Sequence, residues 1–201
     1  MDMKAGGPAG EWVNTWRRNP RRYVCGYCGE RVASDVGYGD TNESVHLYVC
    51  PNCGNPTYFN YAERQIPGVR YGNDVSALPN DVESLYNEAR DCVAASAYTS
   101  AVLVCRKLLM NMAVSKGAEE GKPFVDYVSH LASKGYVPPD GEAWVDLIRQ
   151  KGNEANHEIR LMSEQDAKDI ITFLEMLLKF IFEFPSKVSK PTPTPPPTGA
   201  V

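Results

Sequence analysis

From Pro79 onward, the hydrophobic positions of the chain repeat with the period of an α-helix. The apolar residues that follow the i, i+3, i+4, i+7 spacing are Val82, Leu85, Tyr86, Ala89, Cys92 and Val93. Pro79 suits the first turn of a helix, where a missing backbone N–H costs no hydrogen bond. The pattern therefore predicts a first helix that begins next to Pro79.

The same period continues through two more predicted helices. Residues 97–116 are apolar on most sides, which predicts a second helix at the centre of the fold. A third helix is predicted from Phe124 to about Lys134, before the helix-breaking sequence GYVPPDG at 135–141.

Two further helices complete the predicted bundle. The fourth spans about residues 142–162. The fifth begins at Ser163, which with Asp166 resembles a capping box, and it ends at Pro185. The expected fold is therefore mainly α: an antiparallel bundle of four to five helices, preceded by a small β zinc ribbon.

The remaining sequence divides into four segments. Residues 1–22 are expected to be a flexible basic leader, and residues 23–60 a zinc ribbon that contains a short alternating strand, SVHLYV. Residues 61–77 lack periodicity and are interpreted as a linker to the helical domain at 78–185. Residues 186–201 are rich in proline and are expected to be a disordered tail.

Four cysteines form two close pairs, CGYC and CPNC, and predict a metal site. Two residues between paired cysteines allow one tight turn to direct both sulfurs at the same ion, so we expect Cys25, Cys28, Cys50 and Cys53 to bind one Zn²⁺. Four thiolates leave no open position, which favours a structural role. His46 could compete as a ligand, but it is interpreted as an exposed strand residue.

Other single residues favour ordinary structural roles. Cys92 and Cys105 lie among apolar residues and are expected to be small buried hydrophobes. His130 is expected to be a partly buried helix residue. The most apolar run, at 170–182, contains Glu175 and is shorter than the ~20 residues that a membrane span needs, so a membrane location is not expected. No secretory signal is apparent, and we expect a cytoplasmic protein.

Charge is distributed unevenly along the chain. The whole sequence has a net charge of −4, with 43% hydrophobic and 23% charged residues. Residues 78–183 are acidic, which excludes a broad basic surface for nucleic acid in the helical domain. Residues 1–22 are basic. The side chains there that could contact nucleic acid or a protein partner are Trp12, Trp16, Arg17, Arg18, Arg21 and Arg22.

The sequence RQKGNEANHEIR at 149–160 carries the candidate catalytic chemistry. If residues 142–162 form one helix, the apolar side chains from Trp144 to Met162 share one face together with the stem of Lys151. The polar residues on the opposite face are Arg149, Asn153, Asn156, His157 and Arg160. A solvated helix surface would show the same division, but asparagine and glycine are poor helix formers, which favours a functional reason for them.

A family resemblance extends over about half of the chain. The sequences LYNEARDCVAASAYTSAVLVCRKLL, FVDYVSHLASKGYV, LIRQKGNEANHEIR and SEQDAKDIITFLEMLLKFIF resemble the family named domain of unknown function 4145. That family is similar to the HEPN (higher eukaryotes and prokaryotes nucleotide-binding) superfamily, and an N-terminal zinc ribbon is a familiar companion of it. The resemblance implies a helical bundle that often forms a homodimer.

The resemblance also implies metal-independent RNA cleavage, in which the 2′-hydroxyl attacks the phosphate. His157 would act as acid or base, Arg149 would stabilise the charge on the phosphate, and Asn153 would position the reacting group. Lys151, Asn156 and Arg160 are candidate substrate-binding residues.

Two features depart from that pattern. Seven residues separate Arg149 from His157, so on a straight helix their Cα atoms lie ~12 Å apart. Where relatives often carry an acidic residue shortly after an arginine like Arg106, this chain has Leu109 and Met110.

Two functions therefore stand as hypotheses. The first is an RNA-directed protein, either a ribonuclease or an inactive RNA binder, in a defence or toxin–antitoxin context. The second is a non-catalytic adaptor that binds protein partners.

Overall fold

The computed structural model describes residues 12–42, 44–137, 146–148, 150 and 161–188. Five strands form one antiparallel sheet in sequential order: β1 (Trp16–Val24), β2 (Arg31–Gly39), β3 (His46–Val49), β4 (Pro56–Phe59) and β5 (Gln65–Ile66). The helices that follow are α1 (Asn80–Ala94), α2 (Tyr98–Ser115), α3 (Phe124–Ser133), α4 (Glu164–Leu178) and α5 (Phe184–Lys187). Residues 146–148 and 150 are also helical.

The expectation of a mainly α fold is wrong, because the sheet extends over residues 16–66 and makes a substantial β region. Residues 16–22, assigned from the sequence to a flexible leader, lie in β1, and β5 lies within the expected linker. A β-bulge interrupts β1, since its pairing with β2 shifts register between Arg17 and Arg21. The bulge contains Pro20, which an edge strand tolerates. Bulge and proline together concealed the alternation that normally reveals a strand.

The sheet region has a small core of its own. Its buried residues are Tyr23, Cys25, Tyr48, Cys50 and Phe59. The aromatic rings pack edge to face, with ring centroids 5.4 Å apart for Tyr23 and Phe59 and 6.0 Å apart for Tyr48 and Phe59. So few apolar side chains cannot stabilise an independent domain of this size without a further link such as a metal.

The helical region has a much larger apolar core. Helix α2 contacts α1, α3 and α4, as its apolar sequence predicted. Its buried side chains are Ala101, Val102, Cys105, Leu108, Leu109, Met112 and Ala113. Cys105 belongs to this core and Cys92 packs against it, as small hydrophobes do. The Nε2 atom of the partly buried His130 lies 3.1 Å from the backbone oxygen of Lys116.

The last helical segment begins as predicted and continues further than predicted. Ser163 accepts a hydrogen bond from the backbone N–H of Asp166, whose carboxylate accepts one from the N–H of Ser163, so the capping box is confirmed. After α4 the chain widens into a π-helical turn at Lys179–Glu183. Pro185 lies in the first turn of α5, where no N–H donor is needed, and therefore does not end the helical segment.

Arg90 of α1 fixes the connection between the sheet and the helices. Its side chain is buried, and it donates from Nε to the backbone oxygen of Tyr71 at 3.0 Å and from Nη2 to that of Gly72 at 2.9 Å. Its Nη1 atom lies 2.6 Å from the carboxylate of Asp74. These bonds hold residues 71–74 against α1.

Of the helices described, none combines the length and the apolar character that crossing a membrane requires.

Candidate functional site

The two cysteine pairs meet at one end of the sheet. The sulfur atoms of Cys25, Cys28, Cys50 and Cys53 all lie within 4.8 Å of one another. The Sγ atoms of Cys25 and Cys53 are 3.8 Å apart, and those of Cys28 and Cys50 are 3.9 Å apart. A tetrahedron with metal–sulfur bonds of 2.3 Å has edges of ~3.8 Å. The four cysteines could therefore hold one metal ion, and the spacing is consistent with zinc.

Two turns of matching geometry present the sulfurs. The N–H of Cys25 donates to the oxygen of Glu30, and that of Gly29 to the oxygen of Cys25, both at 2.9 Å. The second turn repeats both bonds at 2.9 Å, from Cys50 to Asn55 and from Gly54 to Cys50. Both glycines have φ of 72°, a conformation that L side chains rarely adopt. The glycine after each cysteine pair is thus required by the turn.

Two asparagine amides support the sulfurs. The Nδ2 atoms of Asn52 and Asn55 lie 3.5 Å from the sulfurs of Cys28 and Cys53 respectively. Burial opposes ionisation of Cys28, but hydrogen bonds from Asn52 and from the backbone outweigh it and lower the pKa of this thiol to about 7. Burial raises the pKa of Cys50 to about 12. A bound divalent cation would favour the thiolate form of such a buried cysteine.

His46 is not a member of the four-cysteine cluster. It is half-buried in β3, and its Nδ1 atom lies 2.8 Å from Nη2 of Arg18. Because a guanidinium only donates, Nδ1 of His46 must be the acceptor, which leaves the proton of the neutral imidazole on Nε2.

A cleft of about 620 Å³ lies on the sheet beside this histidine. Its lining residues are Trp16, Arg17, Arg18, Asn19, Pro20, Arg21, His46 and Tyr48. The β1 bulge forms one wall, and the hydroxyl of Tyr48 donates to the bulge at the backbone oxygen of Asn19, at 3.0 Å. The cleft is therefore lined by β1 and β3, and β2 lies between these two strands in the sheet.

The arginines that line the cleft differ in their partners. Arg17 pairs with Asp35, and Arg21 pairs with Glu63 while its guanidinium lies 3.7 Å from the centroid of the Phe59 ring. Among the residues that the structure describes, no carboxylate lies within ion-pair distance of Arg18. Its guanidinium occupies the space above Gly39, where a methyl group would collide with it.

The predicted catalytic residues Arg149, Asn153 and His157 lie outside the described residues. The candidate substrate-binding residues do so too, and they are Lys151, Asn156 and Arg160. Their placement therefore stays a prediction.

Sequence reasoning missed the cleft, although it noted four of its side chains, Trp16, Arg17, Arg18 and Arg21, as candidate contacts of the leader. One signal could have located it. Gly37 and Gly39 alternate along β2, and they pair with Tyr48 and His46 of β3. Glycines at alternate positions of a strand indicate close approach by other groups.

A second, more apolar cleft of about 440 Å³ lies between residues 71–73 and the end of the helical region. Its aromatic side chains are Tyr71, Phe180 and Phe184, and the last two rings pack edge to face with centroids 5.3 Å apart. Both phenylalanines are partly exposed.

Comparison with known proteins identifies a family and no individual relative. No curated protein and no solved structure matches the chain. Residues 87–192, more than half of the chain, match the family described as Domain of unknown function (DUF4145). The chain therefore belongs to this family.

Proposed function

We propose that this protein binds RNA, as an RNA-directed member of its family with a HEPN-like helical domain. The observation that carries the proposal is the cleft of β1, in which Arg18 has a cationic side chain without a carboxylate partner among the described residues. RNA supplies the phosphate groups that such an arginine binds with paired hydrogen bonds.

The metal centre in this proposal has a structural role. We infer that the bound ion is Zn²⁺, because four cysteine ligands at tetrahedral spacing are typical of structural zinc sites. Four thiolates leave no position for water or substrate. The centre would hold the ends of β1, β2 and β3 together and so maintain the cleft.

RNA cleavage is the catalytic form of this proposal. Arg149 would stabilise the charge on the phosphate, His157 would transfer protons, and Asn153 would orient the group, with Lys151, Asn156 and Arg160 binding the substrate. The 2′-oxygen would form a bond to phosphorus, and the bond from phosphorus to the 5′-oxygen would break. The base accepts the proton of the 2′-hydroxyl, and the acid protonates the 5′-oxygen. In a homodimer, Arg149 of one chain and His157 of the other would act on the same phosphate.

The test uses end-labelled mixed-sequence RNA and the full chain, with EDTA dilute enough to leave the protein's metal content unchanged. Wild-type protein is compared with His157→Ala and Arg149→Ala, and circular dichroism checks the folding of each. We expect cleavage by the wild type and a loss of at least a hundredfold in each variant.

Other outcomes separate the remaining hypotheses. Equal cleavage by all three proteins would indicate a contaminating nuclease and contradict the proposed site. RNA binding without cleavage would indicate an inactive RNA binder. Absence of both would contradict the RNA proposal and favour the adaptor.

The adaptor alternative is favoured by the cleft at Phe180 and Phe184. Exposed aromatic side chains that line a concave surface are typical of protein-binding sites. If the protein is an adaptor, Phe180→Ala and Phe184→Ala should abolish co-purification of a partner that His157→Ala retains. RNA binding would then be absent from all of these proteins.

A further inference from the structure

We propose that the cleft of β1 binds single-stranded RNA, with Arg18 contacting a phosphate and Trp16 stacking on a base. This inference rests on the proposed RNA-directed function and adds to it the class of RNA and the residues that recognise it. Three features of the cleft support it: its shape, the charge inside it and the aromatic ring at its edge.

The shape of the cleft follows from one bulge and one glycine. Residues 18–20 fall where β1 loses its regular pairing with β2, and all three line the cleft. Gly39 has no side chain, and the guanidinium of Arg18 fills that space and reaches His46 on β3. The resulting volume of about 620 Å³ is in the range of small-molecule and cofactor sites.

The charge of Arg18 in the cleft is fixed in position, and no carboxylate of the described residues pairs with it. The guanidinium of Arg18 donates a hydrogen bond to Nδ1 of His46, which is a neutral acceptor. Arg18 therefore retains its full positive charge. The Nε atom of Arg18 is buried and makes no hydrogen bond to the described part of the chain. An oriented, incompletely satisfied arginine favours an anionic ligand, and a phosphate oxygen is the acceptor that RNA offers.

The aromatic ring at the edge of the cleft selects the form of RNA. Trp16 lines the cleft and has 53% of its surface exposed, so it contributes little to the sheet core. The rings of Trp16 and Tyr38 pack edge to face, with centroids 6.1 Å apart, and the exposed part of the Trp16 ring is available for stacking. Bases of a single strand offer their faces to such a ring, whereas bases of a duplex are already stacked on each other.

The opposite wall completes the site without contributing a second stacking ring. Tyr48 is almost fully buried, and its hydroxyl is held by the backbone oxygen of Asn19. One stacking ring beside one arginine fits a single nucleotide unit, and the flanking nucleotides would pass over Arg17 and Arg21, whose charges are already paired.

The experiment measures binding of a fluorescein-labelled single-stranded RNA of about 12 nucleotides by anisotropy, with the full, metal-loaded chain at fixed salt. Trp16→Ala and Arg18→Ala should each raise Kd about tenfold. Gly39→Ala should raise Kd severalfold, because the added methyl group displaces the guanidinium while every charge is kept. Arg31→Ala removes the same charge from an exposed position outside the cleft lining, and it should change Kd less than twofold.

A second readout reports stacking directly. In a Trp12→Phe, Trp144→Phe background, Trp16 is the chain's one remaining tryptophan. Single-stranded RNA should quench its fluorescence at the concentrations that saturate anisotropy, and duplex RNA should not. Circular dichroism and metal content establish that each variant is folded.

The outcomes separate the two proposals. If the wild type binds RNA and the Trp16, Arg18 and Gly39 variants bind equally well, the cleft is not the site, while the RNA-directed function stands. If duplex RNA binds as tightly as the single strand, the stacking role is overturned. If the wild type binds no RNA, both proposals fail.

Discussion

The sheet region and the helical region keep their folds by different means. Five buried residues form the core of the sheet, and two of them are cysteines of the candidate metal centre. The helices instead bury large apolar side chains from α1, α2, α3 and α4 in one continuous core. Burial of apolar surface accumulates with size, so a small sheet gains little from it and a metal link matters more. The two regions are therefore expected to differ in their dependence on a bound metal.

Removal of the metal should produce the largest difference between the regions. Structural zinc contributes about 10–16 kcal/mol in small zinc domains, more than the few apolar residues of this sheet can supply. We expect Cys50→Ser, or a strong chelator, to abolish the near-ultraviolet dichroism of Tyr23, Tyr48 and Phe59. The helical signal at 222 nm should be largely retained. Loss of both signals together would contradict independent stabilisation of the two regions, because the helices would then depend on the metal as well.

A cavity in the helical core should have the next largest effect, a loss of stability in the helical region and not in the sheet. Leu174 is fully buried in α4, and Leu174→Ala should lower the free energy of unfolding of the helices by about 2–5 kcal/mol. Leu161 has 87% of its surface exposed, so Leu161→Ala should change it by less than about 0.5 kcal/mol. Urea unfolding followed at 222 nm measures both. Metal content should be unchanged in each variant, and metal loss in Leu174→Ala would contradict independent stabilisation.

Substitution of Arg90, which holds residues 71–74 against α1, should lower the free energy of unfolding by a smaller amount. Arg90→Ala leaves the backbone oxygens of Tyr71 and Gly72 without their donor, which costs about 1–3 kcal/mol. Arg70 forms a more exposed ion pair with Asp91, and Arg70→Ala should cost at most about 1 kcal/mol. Hydrogen exchange of residues 69–76 measures the local opening. Equal protection in both variants would show that Arg90 does not hold this segment.

Local sequence signals predicted α1 to α4 of the helical region and the clustering of the four cysteines. The period of apolar residues located α1, α2 and α3, and Ser163 with Asp166 located the start of α4. The cysteine spacing was sufficient to indicate a four-cysteine cluster that could hold a metal ion, because each pair of sulfurs is presented by one short turn. These features depend on neighbours in sequence, and for that reason the sequence carries them.

Strand β1 and the cleft, which the sequence analysis missed, depend on contacts between residues that are distant in sequence. Strand β1 was missed because its bulge breaks the alternation of side chains, and its pairing with β2 is what establishes it as a strand. The cleft was missed because Arg18 meets His46 and Gly39 only after three strands have paired. The π-helical turn before Pro185 leaves no signal in the periodicity that marks α4.

Strand β1 lies at the edge of the sheet, and this position has a consequence for self-association. An edge strand with free backbone groups is a template on which another copy can add a strand and begin to aggregate. Pro20, the bulge and the charges of Arg17 and Arg21 all discourage such pairing. The exposed side chain of Arg17 therefore opposes edge-to-edge pairing as well as lining the cleft. A variant in which neutral β-branched residues replaced Arg17 and Arg21 would keep the bulge and Pro20 but lose the charges that oppose pairing, and it should aggregate more readily.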